Sequence, residues 1–246
     1  MKRIYLDIPL AGTHQALLPA PAFHYIVRVL RCRDGERLAV FNGDGNDYHA
    51  TLSLLGKKSA QLDIERAEVN DRESPLHTTL IQGLSKGERM DIVMQKAVEL
   101  GVNRIIPVRS EFCAVKLSGE RLEKKMQHWR GIIVSACEQS GRARLPELLP
   151  LQDLPTALAS VEAEQKWLLH PYPQADVQAA VLAADQSPAS VVVLVGPEGG
   201  FSDAEVEQAV AQHYHPQTLG RRILRTETAA LVALSLCQYQ WGDWRV

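Results

Sequence analysis

The spacing of hydrophobic and polar residues changes character about seventy residues into the chain. Before that point three segments, 37–43, 47–55 and 57–69, alternate apolar and polar residues as half-buried strands do. The turn sequence NGDGND at 42–47 lies between the first two segments and predicts a hairpin. Within 22–31 the apolar residues recur with helical spacing, which predicts one helical turn. A small β-barrel would close such a set of strands.

From residue 76 onward, strand patterns alternate with helix patterns. Strands are predicted at 76–84, 104–108, 166–170 and 191–196, and helices at 88–101, 120–139, 173–184, 202–214 and 225–241. This alternation is typical of α/β proteins, in which helices cover a mostly parallel sheet. The polar segment DRESP at 71–75 separates the two patterns, so we predict two domains, 1–72 and 73–246.

Composition narrows the class of protein. The 246 residues are 46% hydrophobic and 23% charged, which is ordinary for a globular protein with a sizeable core. No apolar stretch approaches the ~20 residues of a membrane helix, and the first residues lack the apolar region of a signal peptide. Cys32, Cys113, Cys137 and Cys237 are far apart without a CxxC pair, which favours free thiols over disulfides or zinc. We therefore expect a cytoplasmic protein with no membrane segment and no metal.

Charge is uneven along the chain although the formal net charge is only −2. Basic residues exceed acidic ones in 1–40 and 76–160, whereas acidic residues exceed basic ones in 41–75 and 161–246. A polyanionic partner would therefore contact the two basic regions, 1–40 and 76–160. An ordinary solvated surface explains the same distribution.

The segment LVGPEGGFSDAE at 194–205 joins a predicted buried strand to a predicted helix. Glycine-rich turns at this place commonly bind phosphate, but here Glu198, Asp203 and Glu205 bring three carboxylates to the helix start. Ser202 and Glu205 also form a capping-box pattern, and neither a P-loop nor GxGxxG is present. The loop therefore favours a neutral or cationic ligand that approaches the backbone closely. A tight turn without any ligand explains the glycines as well.

Two further clusters have the composition of binding sites. LGRRILRTETAA at 219–230 begins a helix for which Thr226 is the expected N-cap, and Arg225 and Glu227 flank it. That charged pair either lines a pocket or forms a surface ion pair. The segment from 138 to 142 ends a long helix with polar groups that could recognise a base or a phosphate, or with a simple glycine cap at Gly141.

Taken together, SEFCAVK (110–116), ACEQSGR (136–142), LLH (168–170), LVGPEGGFSDAE and LGRRILRTETAA resemble the RsmE family. Members of this family are rRNA methyltransferases that make N3-methyluridine in 16S rRNA of the 30S subunit. The resemblance implies a PUA-like N-terminal β-barrel that binds RNA and a C-terminal SPOUT-type α/β domain with a trefoil knot. It also implies S-adenosylmethionine as cofactor and a homodimer.

Carried over by position, the resemblance implies a cofactor pocket at three strand ends. Its residues are Leu169, His170, Val195, Gly196, Glu198, Gly199, Gly200, Leu219, Gly220, Ile223 and Leu224. We hypothesise that Arg225 stabilises negative charge on a uracil oxygen and that Glu227 takes or relays the N3 proton. His170 could act as a general base, but its apolar strand setting favours a packed, hydrogen-bonded role.

RNA contacts are expected from the basic regions. The candidates are Lys2, Arg3, Arg28, Arg31, Arg109, Lys116, Gln139 and Arg142. Two alternatives remain at this stage. One is a related SPOUT enzyme that methylates a ribose 2′-OH or another base, and the other is a non-catalytic RNA-binding factor.

Overall fold

The computed structural model describes residues 1–170 and 187–244. The helix predicted at 173–184 therefore lies outside the described residues. The chain forms two compact units, the first of Met1–Glu73 with Cys137–Leu145 and the second of Ser74–Ala136 with Pro146–Val246. The break after residue 73 lies one residue from the boundary that the sequence predicts. The sequence did not predict that residues 137–145 join the first unit.

The first unit contains a sheet of five strands among its described residues. These are β1 (Lys2–Tyr5), β2 (Gln15–Leu17), β3 (Arg37–Phe41), β4 (Asn46–Leu54) and β5 (Ala60–Val69). Their order is β1-β3-β4-β5-β2, in which β1 and β3 are parallel and the other neighbours are antiparallel. The predicted hairpin joins β3 to β4, and its Gly43 and Gly45 have φ values of 94° and 97°.

The helical turn predicted at 22–31 begins earlier and changes its hydrogen-bond pattern. It consists of α1 (Ala20–Phe23) and a π-helical turn, His24–Val29. Phe23 and Ile26 are buried in the core of this unit, as their spacing predicts, together with alternate residues of the strands such as Leu38 and Leu62. This core closes the sheet on one face.

The second unit contains a sheet of seven strands within the described ranges. They are β6 (His77–Gly83), β7 (Arg104–Arg109), β8 (Glu147–Leu148), β9 (Gln152–Asp153), β10 (Gln165–Leu169), β11 (Ser190–Val195) and β12 (His215–Gln217). The order is β12-β10-β11-β6-β7-β8, with β9 also on β7, and every pairing is parallel. Residues 191–195 of β11 are all buried, as expected for a parallel strand covered on both faces.

Five further helices lie in the described ranges: α2 (Arg89–Glu99), α3 (Gly119–Ser140), α4 (Leu154–Ala159), α5 (Asp203–Ala211) and α6 (Thr226–Trp241). Helices α4 and α6 pack against strands of the parallel sheet, and α2 packs against α6. Gly101 follows α2 at the C′ position with φ 82°, a left-handed conformation in which glycine commonly ends a helix. The α/β class is confirmed, while the trefoil knot stays a prediction. No helix within the described ranges is long and apolar enough to cross a membrane.

Six short elements were not predicted: β1 and β2 in the first unit, and β8, β9, α4 and β12 in the second. The helix predicted to reach residue 214 ends at Ala211, because His213 takes a left-handed conformation with φ 65° and the chain then enters β12. The third strand end accordingly lies at Gln217, two residues before the predicted Leu219.

Candidate active site

A cavity of about 610 Å³ lies where β10, β11 and β12 end and α6 begins. Its volume is typical of small-molecule sites, which measure about 300–1,000 Å³. All eleven residues predicted for the cofactor pocket line this one cavity: Leu169, His170, Val195, Gly196, Glu198, Gly199, Gly200, Leu219, Gly220, Ile223 and Leu224. Arg225 and Glu227 line it as well. The fold thus brings together three segments that are distant in sequence.

The glycines after β11 permit close backbone packing. A Cβ on Gly199 would stand 2.8 Å from Phe112 Cβ and 3.0 Å from its carbonyl oxygen, and one on Gly196 would stand 3.2 Å from the Gly200 backbone. The Gly200 N–H donates to the Pro197 carbonyl at 2.9 Å, and Gly200 has φ 71°. The loop therefore forms a tight turn that only small residues can build.

Ser202 and Glu205 form the predicted capping box at the start of α5. The Glu205 N–H donates to Ser202 Oγ at 3.4 Å, and the Ser202 N–H donates to Glu205 Oε2 at 2.9 Å. The other oxygen of Glu205 accepts the Glu111 N–H at 2.8 Å. Two N–H donors at this helix start, those of Ser202 and Glu205, are thus already used within the protein.

Glu198 stabilises the turn through contacts with residues before and at the start of α2. It accepts the Lys86 N–H at 2.9 Å and forms an ion pair with the Arg89 guanidinium. Partial burial opposes its ionisation, but the backbone N–H donors and Arg89 outweigh that cost and lower the pKa of Glu198. Glu198 and Glu205 are therefore both committed to contacts within the protein.

Thr226 connects α6 to the glycine loop. Its hydroxyl donates to the Gly196 carbonyl at 2.6 Å and accepts from Gln82 Nε2 at 2.9 Å. The predicted N-cap role of Thr226 is wrong, since Arg225 occupies the N-cap with extended backbone (φ −65°, ψ 152°). The threonine hydroxyl makes a tertiary contact that sequence spacing does not reveal.

Glu227 presents a carboxylate to the cavity. Its side chain is 14% exposed, and Oε2 lies 3.7 Å from Arg89 Nε without forming a hydrogen bond. Arg225 is exposed on the same rim. Sequence reasoning missed Arg89, which also lines the cavity. Its place between the end of β6 and the start of α2, at the carboxyl edge of a parallel sheet, was the available signal.

Three of the side chains predicted to contact RNA in the first unit already form ion pairs within the protein. Lys2 pairs with Glu36 at 2.8 Å, and Arg3 pairs with Asp47 at 2.7 Å and donates to the Cys137 carbonyl. Arg142 is 4% exposed and makes two hydrogen bonds to Glu73, so the guanidinium is not available to an RNA phosphate. The structure therefore corrects the expectation for Arg142, which anchors residues 137–145 within this unit.

The remaining RNA candidates lie at the surface of their own units. Arg28 and Arg31 are exposed in the first unit, as is Gln139. Arg109 and Lys116 are exposed in the second, where Arg109 donates to the Leu117 carbonyl at 2.7 Å. Within residues 1–170 and 187–244, no group of three or more potential metal ligands is found.

Comparison with known proteins follows the same division of the chain. Residues 72–238 match the family described as RNA methyltransferase domain, and residues 18–65 match the RNA methyltransferase PUA domain. Ribosomal RNA small subunit methyltransferase E of Buchnera aphidicola is 34% identical over 98% of this chain and 97% of its own. The Bacillus subtilis protein of the same name is 32% identical, with coverage of 98% and 97%.

Two solved structures resemble the whole chain. Ribosomal RNA small subunit methyltransferase E from Neisseria gonorrhoeae, bound to S-adenosyl methionine, is 39% identical with a TM-score of 0.86, over 99% of each chain. A putative methyltransferase from Legionella pneumophila, in complex with the same cofactor, is 40% identical with a TM-score of 0.88, over 98% of each chain.

Proposed function

This chain belongs to the ribosomal RNA small subunit methyltransferase E family, and on that premise we propose that it methylates N3 of a uridine in 16S rRNA of the 30S subunit, with S-adenosylmethionine as methyl donor. The observation that carries the proposal is the single cavity that joins the glycine loop, the end of β10 and the start of α6. Relatives whose names describe this class of activity cover nearly the entire chain.

The residues present fit the cofactor. Gly200 and Gly220 line the cavity with φ values of 71° and 81°, and no heavy atom lies within 4 Å of the place where a Cβ would stand. A ligand can therefore approach the backbone at both positions. S-adenosylmethionine supplies a methyl group on a positively charged sulfur when it is bound. The walls that would hold it are Leu169 and His170, the loop from Val195 to Gly200, and residues 219–224.

Two side chains on the first turn of α6 provide the remaining chemistry. Uridine N3 carries a proton and is normally paired, so the base must be extruded or already unpaired to reach the cavity. We assign Glu227 as the acceptor of that proton and Arg225 as the residue that stabilises negative charge on a uracil oxygen. The N3–H bond breaks toward Glu227 as N3 becomes a nucleophile. Partial burial of Glu227 keeps competing water away from the acceptor.

Kinetics of Arg225→Ala and Glu227→Gln test the assignment. The substrate is 30S subunits from a strain that lacks the gene, and the modified nucleoside is identified after digestion. Each variant should lower kcat by about 100-fold or more, as general bases and charge-stabilising donors do. Near-normal kcat in both variants, with rRNA bound, contradicts the roles.

Nucleoside analysis and calorimetry decide between the alternatives. A 2′-O-methylated nucleoside, or a base methylated elsewhere, would reassign the target within the SPOUT class. Failure of S-adenosylmethionine to bind in calorimetry would favour a non-catalytic RNA-binding factor.

We further propose that the protein acts in the cytoplasm as a homodimer and binds rRNA through its exposed basic side chains. The proposed rRNA contacts are supported by the exposure of Arg28 and Arg31 in the first unit and of Arg109 and Lys116 in the second. Alanine at any of these positions should weaken rRNA binding. It should also reduce the slope of log affinity against log salt concentration by about one. Mixed dimers of an Arg28 variant and a Glu227 variant test whether subunits cooperate, and absence of rescue argues against it.

A further inference from the structure

The first residue of α2 contacts two carboxylates that lie on different elements of the cavity wall. Arg89 pairs through Nη1 with Oε1 of Glu198 on the glycine loop. Its Nε lies 3.7 Å from Oε2 of Glu227 on α6. We propose that Arg89 is a positioning residue, which fixes the cofactor loop and the proton acceptor through one guanidinium. The Glu227 half of this inference rests on the proposed function.

Glu198 is held from both the backbone and the side chain of one short segment. The Lys86 N–H donates to the same oxygen, Oε1, that pairs with Arg89. The side chains of Arg89 and Glu198 are about one-third exposed, so the pair is only partly screened by water. Residues 86–89 thus hold the loop that lines the cavity at Gly196, Gly199 and Gly200. Loss of Arg89 should loosen this loop and weaken cofactor binding.

Glu227 is held differently. Its Oε2 is buried and makes no hydrogen bond, while the Arg89 guanidinium lies at charge-pair distance. Attraction at 3.7 Å restricts the carboxylate without occupying the lone pairs of Oε2. That oxygen therefore stays available to accept a proton from a substrate.

The planar shape of the guanidinium makes the two contacts interdependent. Because the N–H groups of arginine are fixed in one plane, the bond from Nη1 to Glu198 sets the direction in which Nε faces Glu227. Lysine carries the same charge as a single point and cannot maintain both directions. Compared with Arg89→Met, we therefore expect Arg89→Lys to recover part of the cofactor affinity or part of the turnover. It should not restore both to the wild-type level.

Two readouts separate the two contacts. The dissociation constant of S-adenosylmethionine, measured by calorimetry, reports on the loop. The kcat value at saturating S-adenosylmethionine reports on Glu227, because saturation compensates for weaker cofactor binding. Arg89→Met should raise the dissociation constant several-fold and lower kcat by about tenfold or more, a change equivalent to about 1.4 kcal/mol.

Double variants then identify the partner behind each effect. Glu198→Gln should raise the dissociation constant, and adding Arg89→Met should raise it little further. Glu227→Gln should lower kcat, and adding Arg89→Met should lower it little further. The matched control is Arg104→Met, which breaks the Arg104–Glu147 pair (2.8 Å) on β7 and β8 outside the cavity lining and should change neither readout.

Three results would overturn the inference. The first is an unchanged kcat in Arg89→Met at saturating cofactor, and the second is full additivity of Arg89→Met with Glu227→Gln. Full recovery of both readouts by Arg89→Lys is the third, and it would reduce Arg89 to a point charge. A normal kcat in Glu227→Gln alone refutes the proton-acceptor assignment instead, and with it the Glu227 half of the inference.

Discussion

Replacement of Thr226 by valine tests whether one buried hydroxyl sets the geometry of the cavity. Thr226 is 7% exposed and Gln82 is fully buried. The hydroxyl donates to the Gly196 carbonyl and accepts from Gln82 Nε2, so it links α6, the glycine loop and β6. Valine has nearly the same shape, so the substitution removes these two hydrogen bonds without opening a cavity.

The expected loss of stability follows from the groups left behind. The half-buried Gly196 carbonyl loses the Thr226 donor, which is a loss of one ordinary hydrogen bond, about 0.5–1.5 kcal/mol. Gln82 Nε2 keeps its bond to the Gly83 carbonyl at 3.1 Å, so its loss is one ordinary hydrogen bond of about 0.5–1.5 kcal/mol. We expect the free energy of unfolding to fall by about 1–3 kcal/mol. Domains of ordinary stability, about 5–15 kcal/mol, remain folded after such a loss.

Cofactor affinity should fall in the same variant, because Gly196 and Thr226 both line the cavity. Urea unfolding gives the free energy, and calorimetry with S-adenosylmethionine gives the dissociation constant. Thr226→Ser keeps the hydroxyl and should lose only about 1 kcal/mol for the missing methyl group. Ser235→Ala is the control, since that hydroxyl donates to the Leu231 carbonyl within α6.

A loss below about 0.5 kcal/mol in Thr226→Val would refute the reasoning, because surface substitutions reach that size. Unchanged cofactor affinity together with a large loss of stability would show that the network supports the fold but does not shape the cavity.

Three further substitutions probe the frame around the site. Arg142→Met should lower the free energy of unfolding, measured in urea, by about 3–5 kcal/mol, because it leaves Glu73 without its buried partner. The control Arg37→Met breaks an exposed pair and should lower it by at most about 1 kcal/mol. Equal losses in the two variants would contradict this prediction. Burial opposes ionisation of Asp91, but three donors on α3 outweigh it and hold its pKa below 3.8, so its stabilising contribution is present above about pH 4 and lost as pH falls further. The difference in stability between wild type and Asp91→Asn should therefore shrink below about pH 4, and a constant difference would refute the assignment. Gly131→Ala lies within α3 with no atom near its Cβ and should stabilise by up to about 1 kcal/mol; a lower melting temperature would count against it.

The place of the cavity could be predicted from local sequence signals, whereas its individual residues were implied by the family resemblance. Glycine turns after apolar runs mark the ends of parallel strands, and ligands in such sheets gather at that edge. Gly196 follows this rule, and Leu169 and Gly220, at or near the ends of two other parallel strands, line the same cavity. The capping box of Ser202 and Glu205 was also predictable from sequence, because both partners lie within one helical turn.

Partners distant in sequence could not be predicted. Arg89 and Glu198 are 109 residues apart, and Arg142 and Glu73 are 69 residues apart. No local pattern marks either pair, because an arginine at a helix end is equally compatible with RNA, solvent or a carboxylate. The strands β8 and β9 have two residues each, which is too short for a period of two to be recognised.

The charges around the cavity account for the glutamate in the glycine loop. Arg89 neutralises Glu198 directly and lies 3.7 Å from Glu227, so neither carboxylate excludes a ligand by simple repulsion. One buried carboxylate oxygen without a hydrogen bond and one exposed guanidinium remain at the start of α6, two residues apart. A reaction that removes a proton while negative charge develops on a neighbouring oxygen can use two such groups, one as proton acceptor and one as charge stabiliser. We propose that Glu198 supports this chemistry indirectly, because it pairs with the Arg89 guanidinium that lies beside Glu227.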